Sequence, residues 1–255
     1  MGPRIIAITN QKGGVGKTTT AINFSCGLAR KGFKVLLVDL DPQAHATIGL
    51  GLEPGSYKLA VHDVLVNKTR VEDVIVETQV SGLYLLPSHI RLDRAEQQLI
   101  PEMYRESILQ RALDGVDFQF ILIDCRPTLG ILTVNALKAC NFIIVPCEIA
   151  RYSLEGFADL METIQTVKSA EEFHLERQLR ILLTKYDARK SVSVEWVMRQ
   201  LEPFRGLLFE TKIRQNEALN QAHMAMEPIF TFKPNSFGAE DYAQLTEEFL
   251  RLCLR

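Results

Sequence analysis

Neither sign of charge dominates this sequence: 29 Lys and Arg stand against 31 Asp and Glu, a formal net charge of −2. Its overall field does not draw in phosphate polymers, so any nucleic-acid binding must rest on a local basic patch. No apolar run approaches the roughly 20 residues that span a bilayer. The chain enters a strand-like run almost at once, and no signal peptide is expected. Its opening "MGPRII" lacks the Ser or Thr that a myristoylation signal needs at position 6. The five cysteines (Cys26, Cys125, Cys140, Cys147 and Cys253) are odd in number and contain no C-x-x-C pair. They read as buried, reduced thiols of a cytoplasmic protein, not as a disulfide or metal framework. Internal repeats, low-complexity segments and Pro/Gly/Ser-rich linkers are missing too. A single domain over residues 1–255 is expected, with 50–82 its least regular part.

What the sequence does have is alternation. Short apolar, β-branched runs at 4–9, 34–39, 83–87, 118–124, 141–146 and 179–185 suit strands buried on both faces. Amphipathic stretches at 17–31, 101–114, 129–140, 153–169, 191–204 and 240–254 lie between or after them. This order predicts an α/β fold, a doubly wound, mostly parallel sheet flanked by helices. Right-handed crossovers then gather the loops that follow the strands on one edge, where such sheets bind ligands.

The first of those loops reads "QKGGVGKTT". It follows a strand and opens a helix, the context a phosphate loop requires. Gly13, Gly14 and Gly16, with Val15 between them, allow backbone N–H groups to converge on an anion at a helix N-terminus. Lys17 reaches the β- and γ-phosphates, the Thr18 hydroxyl suits Mg2+, and Thr19 extends the cradle. Glycine is absent from the first position of the usual pattern, where Gln11 stands, and a second lysine, Lys12, follows it. Two later runs, "LLVDLDPQAHAT" and "FILIDCRPTLG", end strands with Asp39 and Asp41 and with Asp124. Carboxylates at strand tips beside a phosphate loop can orient Mg2+ or its water.

KGGVGKTT, VDLDPQ and the LIDC segment, continuing through "TKYDAR" to "SFGAEDYAQLTEEFL", resemble the ParA/Soj branch of the deviant Walker A ATPases, relatives of MinD. The resemblance covers essentially the whole chain and implies slow, Mg2+-dependent hydrolysis of ATP. It makes Lys12 the signature lysine, reaching across a nucleotide-sandwich homodimer to the partner's ATP, so that dimerisation and charge stabilisation become one event. It makes Lys17 and Thr18 phosphate and Mg2+ residues, Asp124 the Walker B acid, Asp41 the group that orients the attacking water, and Asp39 a support on the metal side. Pro234, in "FKPNSFGAED", becomes a wall for the adenine.

The resemblance also implies non-specific binding of double-stranded DNA in the ATP state, association with the nucleoid, and release when a ParB-like protein stimulates hydrolysis. Arg189 falls on a DNA-contacting arginine of the pattern, and Lys185, Lys190, Arg199, Arg205, Lys212 and Arg214 are the remaining basic candidates. The cargo is chromosome or plasmid DNA, or another body to be positioned. The chain departs from the family in three places: Ala44-His45 replaces the frequent Gly-Asn, Arg126 replaces a proline, and Ala218 falls where a second DNA-contacting arginine is usual. The alternative is a MinD-like, membrane-associated positioning ATPase. Against it, the stripe Tyr242, Leu245, Phe249, Leu252 and Cys253 reads as the core-facing side of the last helix, and no basic tail extends it.

Overall fold

A computed structural model of the protein describes residues 2–53, 55–149, 156–169 and 173–253. The strands are β1 (Arg4–Ile8), β2 (Val35–Leu40), β3 (Val76–Glu77), β4 (Leu83–Leu86), β5 (Phe120–Cys125), β6 (Phe142–Glu148) and β7 (Leu179–Thr184). They form one seven-stranded sheet in the order β3-β4-β2-β5-β1-β6-β7. Every pairing is parallel except the short edge strand β3, which runs antiparallel to β4.

The central strands are apolar throughout because both faces are covered. Leu36 and Val38 of β2 with Ile121 and Ile123 of β5 belong to one core, and Val35, Leu37, Phe120 and Leu122 to the other. Successive residues thus serve opposite faces, the period-2 rule applied twice.

The helices are α1 (Lys17–Arg30), α2 (His45–Gly49), α3 (Val61–Val66), α4 (Leu92–Leu99), α5 (Ile108–Ala112) and α6 (Ile131–Ala139), followed by α7 (Phe157–Lys168), α8 (Leu175–Gln178), α9 (Ser191–Gln200), α10 (Glu217–Met224), α11 (Ile229–Phe232) and α12 (Phe237–Cys253). The predicted helix start at 153–155 lies outside the described residues, as does residue 254. The single helix predicted over 101–114 is broken. Tyr104 takes a left-handed φ of 55°, and a short 3-10 turn precedes α5. Neither α4 nor α10 is predicted, although Leu92, Ala95 and Leu99 are buried at helical spacing.

α12 lies against α1, and their contact is built from large side chains and one glycine. The rings of Phe24 and Phe249 meet edge-on at 5.0 Å, and the Thr20 hydroxyl lies 3.2 Å from that of Tyr242. A Cβ on Gly27 would fall 2.3 Å from Thr246 Oγ1, so only glycine permits this approach. Tyr242, Leu245 and Phe249 are buried, and Leu252 and Cys253 pack against the same core. The apolar stripe of the last helix is therefore spent inside the protein. Among the described residues no helix is long and apolar enough to cross a membrane.

Candidate nucleotide-binding site

The C-terminal ends of β1, β2 and β5 meet at the middle of the sheet edge. Ile8 pairs in register with Asp124, and Asp124 with Asp39. The loop after β1 therefore starts directly beside the two carboxylates. Gly14 and Gly16 hold left-handed φ angles of 76° and 88°, a turn that residues with a Cβ rarely make. Gly16 is the N-cap of α1 and supplies no capping side chain, leaving the first N–H groups of a 14-residue helix open to an anion.

The loop is held from behind. Thr184 Oγ1 donates to the Val15 carbonyl at 2.8 Å, Asn10 Nδ2 to the Pro146 carbonyl at 2.7 Å, and the Lys12 N–H to Asn10 Oδ1 at 3.0 Å. The Lys17 ammonium folds back over the loop and donates to the Lys12 carbonyl at 3.0 Å. Burial lowers its pKa, while Asp124, Cys125 and Asp41 oppose the shift. Among the described residues the Lys12 ammonium makes no hydrogen bond or ion pair of its own.

The three aspartates have different surroundings. Asp124 is buried, and neither carboxylate oxygen has a hydrogen-bond partner of good geometry among the described residues. Burial pushes its pKa well up and the Asp39 charge adds to this, while the nearby Thr18 hydroxyl and Lys17 ammonium pull the other way. An orphaned carboxylate beside a lysine and a threonine hydroxyl is a vacancy in the bonding that a hydrated divalent cation satisfies. Among the described residues no three His, Cys, Asp or Glu side chains converge as metal ligands. A cation here must draw its other ligands from phosphate and water, as Mg2+ does.

Asp39 is engaged elsewhere. Its Oδ2 accepts the Thr47 N–H at 2.8 Å and the Thr47 hydroxyl at 2.7 Å, and its Oδ1 accepts the Asp41 N–H at 3.2 Å. Burial raises its pKa to about 6 against the pull of these bonds. These bonds tie α2 and the Asp41 loop to the sheet. Asp41 itself is half-buried, and its Oδ1 accepts the Gln43 N–H at 3.0 Å.

A cavity of about 360 Å3 continues from Gly16 and Thr19 between the loop after β7 and the start of α10. Its walls pair the apolar Ile149, Ile213 and Leu219 with the amides of Gln215, Asn216 and Asn220. These segments lie far apart in sequence, and the motifs did not point to them. Pro234 is elsewhere. It lines a different hollow with Arg30 and Phe230, at the C-terminal end of α1. That helix is ~21 Å long, so Pro234 cannot wall a base bound at its N-terminus.

A family model described as an AAA domain matches residues 3–181. The sporulation initiation inhibitor protein Soj of Bacillus subtilis is 42% identical over 250 residues, covering 96% of this chain and 97% of the relative. The chain belongs to the ParA/Soj family. The chromosome partitioning protein ParA of Myxococcus xanthus is 36% identical, with 97% and 88% of the two chains covered. Among solved structures, cobyrinic acid a,c-diamide synthase from Mycobacterium smegmatis, with bound ATP analog and magnesium, shares 33% identity and a TM-score of 0.82, covering 98% of this chain and 95% of that one.

The departures from the ParA/Soj pattern take on physical meaning in the structure. Arg126 does not face the phosphate loop: its Nη1 binds Glu96 Oε2 at 2.5 Å and Asp93 Oδ1 at 3.4 Å, both on α4. The cation beside the metal site is thus neutralised. Ala44 holds a left-handed φ of 55° at the N-cap of α2, a conformation glycine adopts without strain. Ala218 is 5% exposed and packs inward, so the absent arginine says nothing about the outer surface.

Six of the seven basic candidates separate into three groups; the seventh, Lys212, lies over the Tyr186 ring at 4.6 Å. Arg214 is bound to Asp241 and Glu240 and stacks over the Phe237 ring at 4.3 Å; with its charge consumed, it is withdrawn as a DNA contact. Lys185 and Lys190 line the cavity beside Gly16, near Glu148 and Gln215 respectively, and both remain exposed. Arg189, Arg199 and Arg205 are 91%, 76% and 74% exposed, each beside an acidic neighbour close in sequence. Such surface pairs are worth ~0–1 kcal/mol and exchange readily for phosphate.

Proposed function

We propose that this chain is a Mg2+-dependent ATPase that dimerises around two ATP molecules, binds double-stranded DNA non-specifically in that state, and segregates or positions DNA or another cargo. A ParB-like protein would stimulate its slow hydrolysis to ADP and phosphate. Membership of the ParA/Soj family carries this reading, and the open loop over Lys17 with the unpartnered Asp124 beside it supports the chemistry.

In this reading the N–H groups of residues 13–19 and the Lys17 ammonium bind the phosphates, and the base enters the cavity between Ile149, Ile213 and Leu219, with Asn216 and Asn220 as polar contacts. The Thr18 hydroxyl and Asp124 would hold Mg2+, which would supply positive charge to offset that of the phosphates. Asp41 orients the attacking water and accepts its proton. Asp39 contributes by fixing the Asp41 loop. Lys12, whose ammonium has no partner among the described residues, supplies it to the ATP of the second copy, where a preorganised charge lowers the barrier. DNA is held through Arg189, Arg199 and Arg205.

The test is a mobility shift on DNA of unrelated sequence, with ATP, ADP or no nucleotide, at two salt concentrations. A shift confined to ATP and weakened by salt is expected. A shift independent of nucleotide, or none despite ATP-bound dimers, would remove the DNA-binding half of the proposal.

A further inference from the structure

His223 and His45 join the wall of the base cavity to the Asp41 loop. α2 is fastened to the catalytic carboxylates at its start: the Ala44 N–H donates to the Asp41 carbonyl at 2.9 Å, and Thr47 carries the two bonds to Asp39. His45 and Gly49 are four apart on this helix and so share a face. His223 of α10 occupies that face. Its ring meets His45 edge-on with centroids 6.1 Å apart, and a Cβ on Gly49 would lie 3.1 Å from its Nδ1. The same Cβ would fall 2.5 Å from Ile22 Cδ1, so glycine at 49 makes room for Ile22 first and for the ring as well. The other end of α10 presents Glu217, Leu219 and Asn220 to the cavity. One short helix thus lines the cavity at its start and packs on α2 near its end.

We propose that His223 is a positioning residue which, through His45 and Gly49, couples occupancy of the base cavity to the placement of the Asp41 loop. The proposal rests on the ATPase reading above and adds a route by which the purine, as distinct from the phosphates, sets hydrolysis. The contact is also sensitive to protonation. His45 is exposed, whereas burial together with the neighbouring His45 charge lowers the pKa of His223. The other charged groups on the packed elements are engaged: Glu240 and Asp241 of α12 bind Arg214, Lys17 of α1 binds the Lys12 carbonyl, and Arg30 lies over Phe230. Glu217, on α10 itself, sits at the cavity end, and α11 carries no titratable side chain. With His223 neutral the two rings pack. As pH falls through this lowered pKa, below the usual 6.5, the His223 ring gains a charge against its packed neighbours, and the coupling is lost.

Hydrogen exchange of the full chain, followed in the peptides over 12–20 and 44–49, tests this. Mg-ADP should slow exchange in both, by about tenfold, within the usual range of coupling between sites. Mg-pyrophosphate, which has no base, should protect 12–20 but leave 44–49 close to the free protein. In His223→Gln, and independently in His45→Asn, Mg-ADP should still protect 12–20 while protection of 44–49 falls to about twofold or less. ATP turnover should then show a reduced kcat at unchanged KM, with the acid limb of its pH profile moved to lower pH. Equal protection of 44–49 by pyrophosphate and ADP, or undiminished protection in both variants, would overturn the coupling. Failure of Mg-ADP to protect 12–20 in the unaltered protein would instead overturn the nucleotide site itself.

Discussion

Replacing Asp124 by Asn removes one of two negative charges at the centre of the sheet edge while keeping the side chain's shape. Asp124 and Asp39 are paired in register on adjacent strands, which lie ~4.8 Å apart. At an effective dielectric of ~20, two full charges at that spacing repel by ~3 kcal/mol. The actual repulsion is smaller, because burial pushes both carboxyls up and so favours their neutral forms. Asp124→Asn should therefore stabilise the nucleotide-free protein by ~1–3 kcal/mol, or ~2–10 °C in Tm for a chain of this size. The ligand effect has the opposite sign. Mg-ADP at 100 times its Kd stabilises the unaltered protein by ~2.7 kcal/mol, and the variant should gain almost none of this.

Melting curves by circular dichroism, with and without Mg-ADP, give both terms from four samples. A pH series adds a third. Carboxyls whose pKa is higher folded than unfolded destabilise the fold when ionised, so the penalty is absent below about pH 4 and present above about pH 6. Asp39, moved from 3.8 to about 6, alone makes the nucleotide-free protein lose ~3 kcal/mol across that window as pH rises. Asp124→Asn should flatten the loss. A variant that melts lower without nucleotide, or keeps the full Mg-ADP shift, would refute the reading of Asp124 as an unpartnered cation ligand.

Four further substitutions follow from side chains described above. Ala44→Gly removes a left-handed alanine costing ~1–2 kcal/mol, less the added chain entropy of glycine, and should raise stability by ~0.5–1 kcal/mol in a urea melt. Arg126→Ala strands half-buried Glu96 and should cost ~1–3 kcal/mol, largely recovered by adding Glu96→Gln, while Mg-ADP affinity by calorimetry stays within about threefold. Arg214→Ala leaves buried Asp241 without its cation and should destabilise by ~2–3 kcal/mol. Arg189→Ala should leave the melt within ~0.5 kcal/mol and lower the salt slope of DNA binding by about 1.

The sheet and the phosphate loop were readable because each rests on neighbours in sequence. A strand buried on both faces is apolar at every position, and the loop's glycines, lysine and threonine follow one another. The errors concern contacts made over long separations. Arg214 has the chemistry of a DNA contact, and nothing near it in sequence reveals that Asp241, 27 residues on, consumes its charge. Pro234 was placed by resemblance, and only the direction of α1 shows that it lies at the wrong end. The base cavity joins residues from 16 to 242 and has no motif. By contrast, α10 carried a legible signal in Asn216, whose side chain caps the helix by accepting the Ala218 N–H.

The packing of α12 on α1 has a consequence for the order in which the protein can be made. The helix that opens at the phosphate loop buries Phe24 against Phe249 and accommodates Thr246 over Gly27. Those partners emerge from the ribosome more than two hundred residues after the loop they support. Until then α1 packs on the sheet and α2, and contacts of such long sequence separation form slowly. A nascent chain therefore presents the nucleotide motif early, but the outer support of its helix is complete only once synthesis has passed residue 249.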